Sequence, residues 1–294
     1  MSIGEKIREL RVAKLMTQAE LAGTQITRNM LSCIENGSAN PSLSTVLYIA
    51  GRLNVPAGFL LAEEGDEALY RKMQGFSNIK RAYTAGDLRG CRSLCISACP
   101  QADDEIGLLL ASCDVGIAEE EFWAGRLRSA CRFFDEALSY ADKTMYPTDQ
   151  LEARVSVYFR YMRRISPTLY SDFLDEEKQP AFFWSSPFSA YVDTLDALDD
   201  GDALSAERYL ESAEGGSFFA SHVRIRLQME RGEYREAKEA LLTLLQAEEL
   251  LREVELYTVL FELEIACRET EDFKGAYRYA NEKLQALEHL LKEF

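Results

Sequence analysis

The chain has 294 residues, 47% of them hydrophobic and 28% charged, with a formal net charge of −16. Length and balance fit about two globular domains, and no apolar run approaches the ~20 residues of a membrane span. The N-terminus, MSIGEKIRELR, is amphipathic and lacks the apolar core of a signal peptide, and the seven cysteines show no disulfide-framework spacing, so a cytoplasmic location is expected.

The spacing of Ile7, Leu10 and Arg11 predicts a first helix over 3–14, with Val12 packing toward the next turn. Thr17 with Glu20 three places on is a capping box. It opens a short helix whose inward face is Leu21 and Ala22, interrupted at Gly23-Thr24. Ile26 is an apolar anchor and Thr27 a second N-cap. The helix that follows carries Met30, Leu31 and Ile34 as one apolar stripe and leaves Arg28, Asn29, Ser32 and Cys33 off it. Asn36-Gly37 stops it, since both residues tolerate the left-handed conformation. Two short helices over a tight turn, the second with a polar face, form a helix-turn-helix, whose second helix lies in the DNA major groove. Ser42 caps a fourth helix ending at Leu53, with Leu43, Val46, Leu47, Ala50 and Leu53 on one stripe. Asn54 and Val55 close it, and Pro56 suits the first turn of a fifth helix, from which Phe59, Leu60 and Leu61 pack back.

Residues 3–61 resemble the helix-turn-helix domain of phage-repressor-like (Xre-type) regulators. The strings that carry the resemblance are Thr17-Gln18-Ala19-Glu20-Leu21-Ala22, Ile26-Thr27-Arg28, Leu31-Ser32-Cys33-Ile34-Glu35-Asn36-Gly37, Asn40-Pro41-Ser42 and Leu53-Asn54-Val55-Pro56. The resemblance implies a DNA-binding domain over 1–62. In that geometry Thr27, Arg28 and Asn29 open the groove-facing helix. Arg pairs with guanine O6/N7 and Asn with adenine N6/N7. Cys33 faces the same side one turn on, with Ser32 beside it. Thr17 and Gln18 suit phosphate through backbone N–H groups, and Asn36, Ser38 and Asn40 suit the neighbouring phosphate. The blander alternative is a degenerate domain kept for protein contact, against which these polar residues argue.

The charge divides the same way. Residues 1–62 hold Lys6, Arg8, Arg11, Lys14, Arg28 and Arg52 against Glu5, Glu9, Glu20 and Glu35, a net +2, and the rest carries −18. Phosphate attraction acts within a Debye length of about 8 Å at physiological salt, so a mildly basic head can bind DNA beside an acidic body.

Residues 62–66, AEEGD, form a short polar linker. From 67 to 294 the chain reads as helix after helix. Five strings align: GDLRGCRSLC, GRLRSACRFFDEAL, GDALSAERYL, GEYREAKEALLTLL and EDFKGAYRYANEKL. Each has an anchor (Leu88, Leu127, Ala203, Tyr234, Phe273) and, three places on, a small residue (Cys91, Ala130, Ala206, Ala237, Ala276). The anchors lie 39, 76, 31 and 39 apart, the second gap being two units with a missing member near 167–174. Helix pairs at this period indicate a helical-repeat solenoid, and the body resembles a tetratricopeptide-repeat array. Residues 172–187 break the pattern with two prolines and Phe182-Phe183-Trp184. The final helix, from 272 to 294, is a cap or a dimer contact. The fold class expected is therefore all-α: a five-helix helix-turn-helix domain, then a tetratricopeptide-like solenoid.

Cys91, Cys95 and Cys99 recur on one helix face and read as small core residues rather than a metal or redox site. His222 and His289 lack metal-like neighbours. No phosphate loop or nucleophile elbow is present, so no metal, cofactor or catalysis is expected. The body's aromatics read mostly as core, with Arg154, Tyr158, Tyr161 and Arg224 as candidates for a groove that binds a ligand.

The whole plan resembles the peptide-pheromone-responsive regulators of Gram-positive bacteria, the group including the Rgg and PlcR types. That implies a homodimer binding a double-stranded DNA operator, with a short peptide in the body altering the angle of the heads. Those regulators often clamp the peptide backbone with asparagines, and after residue 62 this chain has only Asn78 and Asn281. Two alternatives stay open: a protein partner in place of the peptide, and a repeat scaffold without DNA binding.

Overall fold

Side-chain caps set where the first helices begin. In the computed structural model, which describes residues 2–62, 67–171, 184–213, 217–246 and 251–292, Ser2 accepts from the Glu5 N–H and opens α1 (Ile3–Ala13). Thr17 opens α2 (Gln18–Ala22) with its capping box complete, Thr27 opens α3 (Arg28–Glu35), and Ser42 opens α4 (Leu43–Leu53). Pro56 sits one place before α5 (Ala57–Leu61) as its N-cap, rather than inside the first turn. The chain continues as α6 (Glu67–Thr84), α7 (Leu88–Ala98), α8 (Asp104–Trp123), α9 (Leu127–Ala141) and α10 (Asp149–Ile165). Then come α11 (Pro187–Asp199), α12 (Ala203–Ser212), α13 (Phe218–Glu230), α14 (Tyr234–Gln246), α15 (Glu253–Glu269) and α16 (Phe273–Leu290). Among the described residues there is no strand, and no helix is long and apolar enough to cross a membrane. Residues 63–66 of the expected linker, and Phe182 and Phe183 of the aromatic run, lie outside the described residues.

The chain divides into two compact units, Met1–Thr84 with Ser93–Gln101, and Ala85–Arg92 with Ala102–Phe294. In the first, Ile7, Leu21, Leu31, Ile34, Val46, Ile49, Leu53 and Leu60 form the core of α1–α5. Val12, Met30, Leu43, Leu47 and Leu61, expected on buried stripes, are exposed instead. Each lies on an apolar helix flank, but among the described residues none covers that flank, and burial follows the neighbours rather than the spacing. The stop of α3 also differs in detail. Asn36 keeps φ −90° and only Gly37, at φ +72°, is left-handed. Cys95 and Cys99 are buried in this unit, and Cys91 in the second.

In the second unit four of the five aligned strings begin the second helix of a pair, in α8–α9, α11–α12, α13–α14 and α15–α16. The anchors Leu127, Ala203, Tyr234 and Phe273 are the first residues of α9, α12, α14 and α16, as Leu88 is of α7. The small residues Cys91, Ala130, Ala206 and Ala237 are fully buried, which lets paired helices approach. Two residues before each anchor the turn is left-handed: Gly86, Gly125, Gly201 and Gly232, and in the fifth case Glu271 at φ +61°. In the last four of these turns the amide after the left-handed residue reaches back into the helix, as from Asp202 to the Ala197 carbonyl at 2.8 Å, which ends one helix and aims the next.

The run of pairs folds back on itself. The tip of the α8–α9 hairpin meets the start of α15 and the end of α16: a Cβ on Gly125 would strike the Glu253 side chain, and Arg128 donates to the Leu291 carbonyl at 2.7 Å. One continuous cluster results, including Phe122 from α8, Phe134 from α9, Tyr158 and Tyr161 from α10, Tyr191 from α11, Tyr257 from α15 and Leu290 from α16.

Candidate nucleic-acid interface

The head holds α3 in place through one buried carboxylate. Glu35, at the end of α3, receives two bonds from the Arg11 guanidinium of α1, at 2.6 and 3.0 Å, and one from the Gln18 amide of α2, at 2.8 Å. Arg11 also donates to the Met16 carbonyl at 2.9 Å. A bidentate pair fixes direction as well as distance, so three helices are oriented by one set of bonds. Burial raises the Glu35 carboxyl, but the bonds from Arg11 and Gln18 and the Arg11 and Arg8 charges together hold it below its ordinary value.

Two glycines allow this packing. Gly4 lies so close to α3 that a Cβ would sit 2.1 Å from the Ile34 carbonyl oxygen. Gly23 ends α2 at φ +57°, ψ −134°, where a Cβ would meet the Tyr48 hydroxyl at 2.3 Å. That hydroxyl and the Arg52 guanidinium donate to the Ala22 and Glu20 carbonyls, at 3.0 and 2.6 Å, capping the short helix from α4.

The expected DNA-facing residues sort by what their side chains already do. Arg28, Asn29 and Cys33 stand exposed on one outward face of α3, with Ser32 half-buried beside them. Asn36 and Asn40 are exposed beyond its end, and the Ser38 hydroxyl donates to the Cys33 carbonyl at 3.1 Å. The Thr27 hydroxyl is spent on the Met30 N–H at 3.1 Å, which leaves the Arg28 and Asn29 amides at the positive end of α3. The phosphate reading of Thr17 needs correction. Its backbone N–H donates to the Glu20 carboxylate at 2.7 Å, so that donor is taken; for Gln18 the expectation concerns the backbone N–H, and its side chain is separately held by Glu35. Sequence reasoning missed Arg11, Glu35 and Gly4. Nothing in a linear sequence ties Arg11 to a carboxylate 24 positions away.

In the body the four groove candidates do not converge. Tyr158 and Tyr161 are buried in the aromatic cluster, corrected here from groove to core. Tyr158 lies 4.9 Å from the Phe188 ring, and Tyr161 bonds the Thr258 hydroxyl at 2.8 Å. Arg154 binds Glu119 across α8 and covers the Trp184 ring at 5.5 Å. Arg224 is exposed. A cleft of about 520 Å³ runs along α9 between Arg132, Asp135, Glu136 and residues 168–170, away from all four.

Residues 7–60 match the helix-turn-helix family model. They form a helix-turn-helix domain. The immunity repressor protein of Bacillus phage phi105 is 33% identical over 81 residues, 27% of this chain and 54% of that protein. The chain thus spans about half the length of this curated relative. Two solved structures align over nearly the whole chain. Bacillus thuringiensis PlcR, in complex with the peptide PapR7 and DNA, is 14% identical with a TM-score of 0.30 over 98% of this chain and 96% of that one. ComR from S. thermophilus, in complex with DNA and its signalling peptide ComS, is 16% identical with a TM-score of 0.23 over 97% and 99%. Scores this low leave the body to be understood from its own helices.

Proposed function

We propose that this chain is a sequence-specific DNA-binding transcription regulator that acts as a homodimer, with α3 reading the major groove and the body responding to a ligand. The observation that carries this is the contrast within the head. Gln18, Thr17 and Thr27 are committed to holding the helices, whereas Arg28, Asn29 and Cys33 stand exposed on the face a groove would take. The helix-turn-helix match and the repressor relative support it, as does a body net charge of −18, which repels phosphate and favours DNA contact through the head. A short peptide is the proposed ligand, on the whole-chain resemblance. A protein partner is the second reading, which the burial of Tyr158 and Tyr161 supports by taking away two of the four residues expected to line a peptide groove.

Selection of genomic fragments by the full chain, followed by a mobility-shift salt series, tests the proposal. Expected is a palindrome with half-sites about 34–36 Å apart or a multiple of that, bound more weakly as salt rises. Arg28→Ala should lower affinity by roughly 1–3 kcal/mol and relax one base position. Recovery of random fragments, or of none, would favour a scaffold without DNA binding.

A further inference from the structure

The last helix carries an apolar row along the flank of its packed face, open over Phe273, Tyr277 and Leu284. Tyr279 and Leu290 are buried, while Phe273 is 69% exposed, Tyr277 75% and Leu284 53%. Single exposed apolar residues are ordinary, but these are in register. Phe273, Tyr277, Ala280, Leu284, Leu287 and Leu291 follow at steps of four, three, four, three and four. That is the a/d pattern of a coiled-coil seam, here about 27 Å long. Leu287 and Leu291 are only partly buried against the central cluster, so the row continues from open surface to the edge of the core.

We propose that this row is a homodimer interface, in which α16 pairs antiparallel with α16 of a second copy. Charge identifies the occupant. Beside the row, on one flank at steps of seven, stand Lys274, Asn281 and Glu288, all exposed. A two-fold axis near Asn281 sets Lys274 of each copy opposite Glu288 of the other, and Asn281 opposite itself. The flank is complementary to itself when reversed, which is what an isologous contact requires. The inference rests on the reading of the chain as a dimer and adds where the contact is.

Sedimentation of the full chain tests it, with circular dichroism as the check on folding. Wild type should be dimeric, and Tyr277→Glu should raise the dissociation constant by at least about tenfold. Lys274→Glu and Glu288→Lys should each weaken the dimer by severalfold, and the double reversal should restore it to within about twofold of wild type. A dimer unaffected by Tyr277→Glu overturns this interface and leaves the dimeric reading standing. Weakening by both single reversals without rescue overturns the antiparallel pairing. A wild-type chain that is monomeric both free and on operator DNA overturns interface and dimer together.

Discussion

Because Glu35 is held below the ordinary carboxylate value, the sign of its effect on stability follows directly. Its contribution is complete above the ordinary value of 4.5 and is lost as pH falls through its own lower folded value. Glu35→Gln should therefore destabilise the head by about 2 kcal/mol at pH 7, with the difference from wild type shrinking toward pH 3. Hydrogen exchange read at α1 and α3 of the full chain measures this. A difference of the same size at both pH values would show that packing, not ionisation, links the three helices. Arg28, a few residues before it on the same helix, has the opposite assignment: its side chain stands exposed, so its loss should register in DNA binding and hardly in stability.

At the scale of the element, the paired helices turn on a left-handed residue, and one of five turns lacks glycine. Glu271 sits at φ +61°, a conformation that costs an L-residue about 1–2 kcal/mol. Glu271→Gly should stabilise the body by about 1 kcal/mol, after the added freedom of the unfolded chain is discounted, seen as a higher urea midpoint. A lower midpoint would mean that the Glu271 side chain contributes more than the strain costs. These turns, the second helix of each pair and the caps at Thr17, Thr27 and Ser42 were legible in the sequence, because each depends on residues within one or two turns of the chain. The exposed flanks at Met30, Leu43 and Leu47 were not. An apolar residue at helical spacing shows that a flank could be buried, and only the neighbours decide whether it is. The same limit hid what holds α3 in place: Arg11, Gln18 and Glu35 meet across three helices. It also sent Tyr158 and Tyr161 to a groove, when rings from α8, α9 and α11 surround the first and Thr258 of α15 holds the second.

For the molecule, the meeting of the α8–α9 tip with α15 and α16 changes how the body holds together. Arg252 lies 3.5 Å over the Trp123 ring, and Arg128 reaches a carbonyl 163 residues away. In an open array each repeat contacts only its neighbours, and stability adds up locally. Here removal of α16, by ending the chain after Glu271, should raise hydrogen exchange in α8 by at least about tenfold, as the two helices share one cluster. Unchanged protection of α8 would show that the pairs are independent after all. The same closure bears on how such a body can diverge. A linear array tolerates the gain or loss of a repeat, since its ends are free to move apart. In this body the span between α9 and α15 is tied by that contact, because one described pair more or fewer would carry Leu291 away from Arg128. Variation among its descendants is therefore expected in side chains and loops, with the count of helices unchanged.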